Sequence, residues 1–250
     1  MKLWVSYEGF VIRWNSLYNA SKCSKATTEL QGSILRIIAF TDIHGAYAKL
    51  YEILSLESSY DALIIGGDVT THGTPKEAEE VIRKLQSFGK PVMAVAGNMD
   101  PQEMDQAFDN LGVSINGRGL ILNNVGFFGV SASPPTPFHT PYEITEDEIK
   151  RRAESGWKDI QSAGTSIFVP HAPPRGTNLD KVFLGSHVGS TAVKNFIDEH
   201  HPDVVVCGHI HEARGLDTIG TTQMVNCGPV GKGFYAVIEL GKSISLQLKG

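Results

Sequence analysis

The sequence predicts an α/β fold in which two mixed β-sheets pack face to face with helices outside them, forming a four-layer sandwich. Two observations support this prediction. The first half of the chain alternates apolar runs with amphipathic segments in the order β-α-β-α-β, and the second half is richer in strands and has two helical segments. Because each sheet needs an apolar covering layer, the two sheets are expected to pack on each other, with the helices covering their outer faces.

The elements of the first half follow one another through short loops. Buried strands are predicted from apolar runs at 35–40, 62–65 and 92–95. Helices are predicted between and after them at 46–56, 75–88 and 101–111. Pro75 and Pro101 support the last two helices, because proline is favoured in the first turn of a helix.

The second half combines shorter strands with two helices and a proline-rich loop at residues 133–141. Strands are predicted at 119–122, 125–130, 166–169 and 203–206, with further strands in the tail at 222–249. Helices are predicted at about 145–162 and 190–200. Thr145 and Glu148 have the spacing of a capping box, which supports the first of these helices.

Residues 1–33 differ in composition from the rest of the chain. Residues 3–14 are rich in aromatic side chains and are predicted to form a strand or a short hairpin around Gly9. We interpret residues 1–33 as an N-terminal extension that is ordered only when it docks on the domain or on a partner subunit, as in a homo-oligomer. Residues 34–250 contain no internal repeat and are expected to form a single domain.

Composition excludes several classes of protein. A net charge of −5 argues against binding of bulk nucleic acid, although metal ions could supply positive charge for a small phosphorylated ligand. Three widely spaced cysteines form neither a disulfide framework nor a zinc motif. No apolar run reaches membrane-spanning length, and no signal-peptide core is visible. We therefore expect a cytoplasmic protein that does not contact membranes and keeps its thiols reduced.

Polar side chains that can bind metal follow the predicted strands directly. Seven residues share this placement: Asp42, His44, Asp68, Asn98, His171, His209 and His211. Each alone has an ordinary structural explanation, as a turn residue, a helix cap or a loop histidine. Because the carboxyl ends of strands in α/β sheets open into a common crevice, the seven are expected to converge. They are enough for two divalent ions that share a carboxylate.

The donor set also restricts the metal. Imidazole nitrogen and hard oxygen without thiolate suit Mn²⁺, Fe, Zn²⁺ or Ni²⁺ rather than a structural zinc, and Mn²⁺ is the first expectation. Two ions about 4 Å apart are a known arrangement for in-line displacement at phosphorus.

The order of these residues resembles the motif set of the calcineurin-like metallophosphoesterases. The motifs are Asp42-Ile43-His44, Gly67-Asp68, Gly97-Asn98, a separate His171 and Gly208-His209-Ile210-His211, spread over roughly residues 35–240. The resemblance implies a metal-dependent phosphoester hydrolase whose nucleophile is a water between two ions. It also implies two ligand sets bridged by Asp68: Asp42, His44 and His211 on one ion, and Asn98, His171 and His209 on the other.

Met99 departs from the family pattern. Family members commonly carry histidine after the Gly-Asn pair, as the proton donor to the leaving oxygen, and a thioether cannot donate a proton. Some relatives with cysteine at this position still hydrolyse phosphodiesters. We therefore predict a phosphodiesterase-like hydrolase of a small phosphoester. Two alternatives stay open: a binding or scaffold protein with the same fold and little activity, and a phosphomonoesterase.

Several further residues are candidates for roles beside the metals. His139 and Asp100 could replace the missing acid, and Arg175 could contact phosphate. His187 is a weaker candidate for the same kind of role. The other histidines, His72, His200 and His201, are expected at the surface.

Overall fold

The computed structural model describes residues 34–57 and 59–250, together with the backbone of two short N-terminal strands. These strands, β1 (Ser6–Tyr7) and β2 (Phe10–Val11), pair antiparallel, in agreement with the predicted hairpin. The expectation that residues 1–33 become ordered by docking lies outside the described residues. In the described part of the chain, no helix combines the length and the apolar character needed to cross a bilayer.

The first sheet has five strands and is built mainly from the first half of the chain. Its strands are β3 (Leu35–Phe40), β4 (Ala62–Gly66), β5 (Val92–Val95), β12 (Tyr235–Leu240) and β13 (Ile244–Lys249). They lie in the order β13-β12-β3-β4-β5. The strands β3, β4 and β5 are parallel, while β12 and β13 add antiparallel pairs at the other edge. Three helices accompany this sheet: α1 (Tyr47–Leu56), α2 (Pro75–Gln86) and α3 (Met104–Leu111).

The second sheet has six strands. They are β6 (Gly119–Leu122), β7 (Val125–Val130), β8 (Thr165–Pro170), β9 (Val204–Cys207), β10 (Gly215–Ile219) and β11 (Thr222–Asn226). In the order β10-β11-β9-β8-β7-β6, the four central strands are parallel and the two edge strands antiparallel. Two helices accompany it: α4 (Glu146–Asp159) and α5 (Thr191–His200).

The core lies between the two sheets. Side chains from the inner faces of both sheets, such as Ile64, Met93, Phe127 and Val206, form one fully buried cluster. A second cluster covers the outer face of the first sheet with residues of α1, α2 and α3, and a third covers the second sheet with residues of α4 and α5. The predicted four-layer sandwich of two mixed sheets flanked by helices is therefore confirmed.

Three predicted element boundaries were wrong, and one strand was missed. Helix α3 begins at Met104 rather than at residue 101, because Pro101 opens a turn in which Met104 N donates to its carbonyl. Helices α2 and α4 end two to three residues earlier than predicted, at Gln86 and Asp159. Strand β10 was not predicted, because its residues alternate between part-buried and exposed positions at a sheet edge and contain no apolar run.

Candidate metal centre

The parallel strands of both sheets end at one edge of the sandwich, and the seven predicted donors lie there. The structure brings all seven together in two groups joined by Asp68. We call Asp42, His44 and His211 the outer triad, and Asn98, His171 and His209 the inner triad. The outer triad follows β3 and β9, and the inner triad follows β5, β8 and β9.

The outer triad is a compact set of one carboxylate and two imidazoles. One donor atom of each residue lies within 4.8 Å of those of the other two. The Nε2 atoms of His44 and His211 are 3.2 Å apart, and His211 Nε2 is 3.4 Å from Asp42 Oδ1. Oδ2 of Asp42 is buried and has no hydrogen-bond partner among the described residues. A buried carboxylate oxygen without a donor is stabilised by a cation, so this group fits a metal ion.

The inner triad is centred on the side-chain oxygen of Asn98. This oxygen lies 3.0 Å from His171 Nε2 and 2.7 Å from His209 Nδ1. The other nitrogen of His171, Nδ1, lies 2.9 Å from the carbonyl oxygen of Gly66. In a neutral ring, Nδ1–H donates to that carbonyl, and the lone pair of Nε2 then faces the oxygen of Asn98. Two acceptors pointing at one place also fit a cation, and a backbone partner of this kind fixes the tautomer of a ligating histidine.

Asp68 lies between the two triads. Its Oδ2 is 3.5 Å from His44 Nε2 and 3.4 Å from His171 Nε2, so one oxygen reaches both groups. Its Oδ1 accepts a hydrogen bond of 2.7 Å from the backbone N–H of Met99. The placement suits a carboxylate that is shared by two ions.

The protonation of the centre reflects its crowded charges. Burial alone would lower the pKa of His171, but the negative charges of Asp68 and Asp42 raise it to about 9. Burial, together with the positive charge of His171, lowers the pKa of His209 to about 4. Burial would raise the pKa of Asp42, yet the hydrogen bond to His211 and the nearby imidazole charges hold it well below its usual range. The carboxylates therefore attract positive charge, as a proton or as a metal ion.

The backbone around the donors is unusual. Asp42, His44, Asp68 and His209 all have positive φ angles, between 47° and 68°. Asn, Asp and His are the non-glycine residues most often found in this region. The glycine before two of the donors is needed for space: a Cβ on Gly97 would lie 2.0 Å from Asp68 Oδ1, and a Cβ on Gly208 would lie 2.3 Å from Asp42 Oδ2.

Comparison with known proteins agrees with this geometry. The family model described as calcineurin-like phosphoesterase matches residues 35–213. This chain belongs to that family. Over 199 residues it is 32% identical to an uncharacterised protein of Methanocaldococcus jannaschii, covering 78% of this chain and 88% of the relative. It is also 25% identical to a UPF0046 protein of Caenorhabditis elegans, covering 80% of this chain and 71% of the relative. Family membership indicates metal-dependent phosphoester hydrolysis.

Solved structures share the fold at low sequence identity. The crystal structure of a Thermus thermophilus protein matches with a TM-score of 0.66 at 16% identity, covering 86% of this chain and 99% of that one. A dimetal phosphatase of Danio rerio matches with a TM-score of 0.58 at 12% identity, covering 86% and 96%. These likenesses establish a common fold for the three proteins.

Asp100 holds the loops that carry the candidate donors in place and is poorly placed to be a general acid. It is fully buried and accepts hydrogen bonds from the backbone N–H groups of Gly97, Val69 and Thr70, at 2.9, 3.1 and 2.8 Å. Both carboxylate oxygens are therefore occupied by the loops that follow β4 and β5. Burial and the charge of Asp68 raise the pKa of Asp100 to about 6.

Among the described residues, none of the remaining candidates hydrogen-bonds to the seven donors. His139 and Arg175 have exposed side chains on the loops after β7 and β8. His187 pairs with Asp180 at 2.7 Å. His72 and His201 are exposed, as predicted, but the surface prediction for His200 was wrong: its part-buried ring packs against Phe196 and Trp157 and bonds to Glu154.

One supporting residue was missed by the sequence reading. Asn226, at the end of β11, is fully buried, and its side-chain amide donates to the carbonyls of Gly208, Ile210 and Leu179 at 3.3, 2.9 and 3.2 Å. Two of these carbonyls flank His209. The signal was present, since Asn226 is a polar residue at the end of a strand, near the kind of position that the seven donors occupy.

Proposed function

We propose that this protein is a binuclear metal-dependent phosphoesterase that prefers small phosphodiesters to phosphomonoesters. Family membership supports the hydrolysis of phosphoesters. The observation that supports two ions is the position of Asp68 Oδ2, within 3.5 Å of a histidine nitrogen in each triad. The observation that supports the preference for diesters is Met99, which stands where the family commonly has a proton-donating histidine.

In this proposal each triad holds one ion and Asp68 contacts both. When bound, the two ions would polarise the phosphoryl oxygens and lower the pKa of the attacking water. The chain's own part is orientation. Thr71 Oγ1 lies 2.8 Å from His44 Nδ1, and the Gly66 carbonyl contacts His171 Nδ1, so both rings keep Nε2 directed into the centre.

Met99 contributes backbone groups where an imidazole would contribute acid chemistry. Its N–H donates to Asp68, and its carbonyl accepts from the N–H of His72 at 3.0 Å. A well-placed general acid accelerates departure of a poor leaving group by about 10²–10⁴-fold. Without one, esters with a stabilised leaving group are favoured. Arg175, on the loop after His171, is the proposed phosphate contact once substrate is bound.

Finer features belong to the same proposal. Mn²⁺ is the first metal to test, followed by Fe, Zn²⁺ and Ni²⁺. The substrate is a small phosphoester rather than bulk nucleic acid, consistent with the net charge of −5. We further propose a cytoplasmic location and, through residues 1–33, a homo-oligomer.

Reconstitution tests the proposal. The metal-free protein is loaded with Mn²⁺ or Ni²⁺ and assayed with bis(p-nitrophenyl) phosphate and p-nitrophenyl phosphate, with bound metal counted separately. We expect two ions, faster diester turnover, and loss of activity in Asp68→Ala but not in Asp198→Ala, an exposed carboxylate on α5. Two bound ions with no turnover would instead support a scaffold, and absence of metal binding would refute the site.

A gain-of-function variant tests the role of Met99. Met99→His places an imidazole where the acid is missing and should raise the turnover of alkyl esters relative to that of nitrophenyl esters, by up to about 10²–10⁴-fold. Met99→Leu should leave the ratio unchanged. An unchanged ratio in a fully metal-loaded Met99→His protein would show that the missing acid does not set the preference.

A further inference from the structure

The most exposed large apolar side chains of the described residues lie on two loops beside the metal centre. Phe183 is 93% exposed, Leu184 89% and Phe138 85%. The next in rank, Leu56, is 77% exposed at the end of α1. That helix starts beside the centre and its ten residues extend about 15 Å, so Leu56 lies away from it.

The first loop, residues 180–188, is a small hairpin that presents Phe183 and Leu184 at its tip. Lys181 pairs with His187, and Gly185 N donates to the carbonyl of Val182 to close the turn. Asp180 fixes the base: it is fully buried and accepts from the backbone N–H groups of Thr177 and Gly189 and from His187. The hydrogen bonds to Asp180 therefore fix the base of the hairpin and keep its tip exposed.

This hairpin is tied to the segment that carries the outer triad's His211. The backbone N–H of Phe183 donates at 3.2 Å to the carboxylate of Glu212, which directly follows His211. Leu179, next to the hairpin base, accepts from the side chain of Asn226, which also bonds to Gly208 and Ile210. Through Glu212, the hairpin that carries Phe183 and Leu184 is thus anchored next to the outer triad.

The second loop, residues 133–142, presents Phe138 and is tied to the inner triad. Tyr142 N donates at 3.0 Å to the backbone carbonyl of Asn98. Glu143 braces the loop, because its carboxylate accepts from the hydroxyl of Thr136 and from both the N–H and the hydroxyl of Thr140. The loop that carries Phe138 is therefore anchored beside the inner triad, whereas the hairpin that carries Phe183 is anchored beside the outer triad.

A phosphodiester carries two organic groups, one on each side of phosphorus, whereas a monoester carries one. Covering an exposed aromatic ring with an apolar group is favourable, because it removes apolar surface from water. The two loops carry such rings and are anchored beside the two triads. We propose that Phe183 with Leu184, and Phe138, contact the two ester groups of the substrate and select phosphodiesters whose ester groups are aromatic or otherwise apolar. This inference rests on the proposed function and assigns its substrate class.

Two substrates that share the same leaving group can test the contact between the loops and the retained ester group. Bis(4-nitrophenyl) phosphate and methyl 4-nitrophenyl phosphate both release nitrophenolate and differ in the retained group, aromatic in one and methyl in the other. We expect the Mn²⁺-loaded protein to prefer the first. The double variant Phe183→Ser/Leu184→Ser and the variant Phe138→Ser should each reduce that preference in kcat/KM roughly 10-fold, mainly through KM. Turnover of the methyl ester should change little.

The matched control is Leu56→Ser, which removes another exposed apolar side chain, on α1, and should leave the preference unchanged. Calorimetric titration with diphenyl phosphate and dimethyl phosphate gives the same comparison without turnover. If nothing is hydrolysed but diphenyl phosphate binds through the loops, the proposed function fails, while the contact between these loops and apolar ester groups stands. Equal effects on both ligands, or none, would overturn the inference.

The alternative is that the exposed side chains at the tips of the two loops bind a lipid membrane. Sedimentation with vesicles of phosphatidylcholine and phosphatidylglycerol measures it directly. Under our proposal the protein stays in the supernatant, with or without the loop substitutions. Vesicle binding that is lost in the double variant, together with an unchanged substrate preference, would refute the substrate assignment.

Discussion

The inner and outer triads use similar donors in different surroundings. In the inner triad, the side chain of His171 is completely buried and Asn98 nearly so. In the outer triad, the side chains of His44 and His211 are 23% and 40% exposed. The inner half is part of the folded interior, so we expect its ligands to contribute to stability. Asp42 of the outer triad is buried, but its two histidines reach solvent, so we expect the ion held there to exchange first and to meet the substrate.

The largest effect on metal binding and activity should come from a change that disturbs both triads at once. Gly97→Ala would place a Cβ 2.0 Å from Oδ1 and 2.2 Å from the backbone nitrogen of Asp68, so the shared carboxylate must move. We expect loss of both ions and a fall in kcat/KM of at least about 100-fold, since displacement of a reacting group by about 1 Å costs that much. Metal counting and the diester assay measure it.

Gly231→Ala is the matched control, because its Cβ would meet only Ala46 Cβ, at an ordinary 3.7 Å. Two bound ions and normal activity in Gly97→Ala would show that the loop can shift without affecting Asp68.

Removing one histidine from each triad should show that the inner triad contributes more to the stability of the metal-free protein than the outer triad does. His171→Ala leaves a cavity and an unpaired Gly66 carbonyl, so we expect the metal-free protein to lose about 2–4 kcal/mol of unfolding free energy. His211→Ala, at a part-exposed site, should change it by less than about 1 kcal/mol. Urea unfolding measures both, and each variant should retain one ion. Equal destabilisation would contradict the division into inner and outer halves.

A smaller effect is expected at Asn226, which supports the loop shared by both halves. Asn226→Leu removes four hydrogen bonds, two of them to the carbonyls that flank His209, without removing a ligand. Loss of such a supporting contact typically lowers metal affinity about 10–100-fold. Calorimetric Mn²⁺ titration is the measurement. Thr222→Val on the same strand is the control, because its buried hydroxyl has no partner among the described residues; equal affinity losses would exclude a specific role for Asn226.

The smallest effect concerns pH and the inner triad alone. Because folding raises the pKa of His171 to about 9, its protonation stabilises the metal-free protein fully below about pH 6.5, and this contribution is lost as pH rises through 9. We expect Tm to fall between pH 7 and 9.5, by roughly 2–4 °C for each kcal/mol of stabilisation that is lost. Thermal scans with a chelator measure it, with His171→Gln as the variant in which the fall should disappear. A flat profile in the parent protein would refute the assignment.

The features that could be predicted from the sequence are those that depend on residues close together in the chain. Strands such as β3 and β4 are apolar runs followed two residues later by Asp42 and Asp68, so both the sheets and the edge that collects the donors could be inferred. The difference between the triads could not, because burial of His171 depends on packing between two sheets distant in sequence. The same reason explains the error at His200, whose ring is covered by Trp157 from another helix.

The positive φ angles of four donors restrict which residues could replace them, by design or during evolution. These donors are Asp42, His44, Asp68 and His209. A β-branched residue at any of these positions would be a backbone outlier, costing about 1–3 kcal/mol before any metal chemistry is considered. The short list of tolerated residues is therefore nearly the list of residues already present. Exchange of the native metal for one that prefers sulfur would require new loops as well as new ligands.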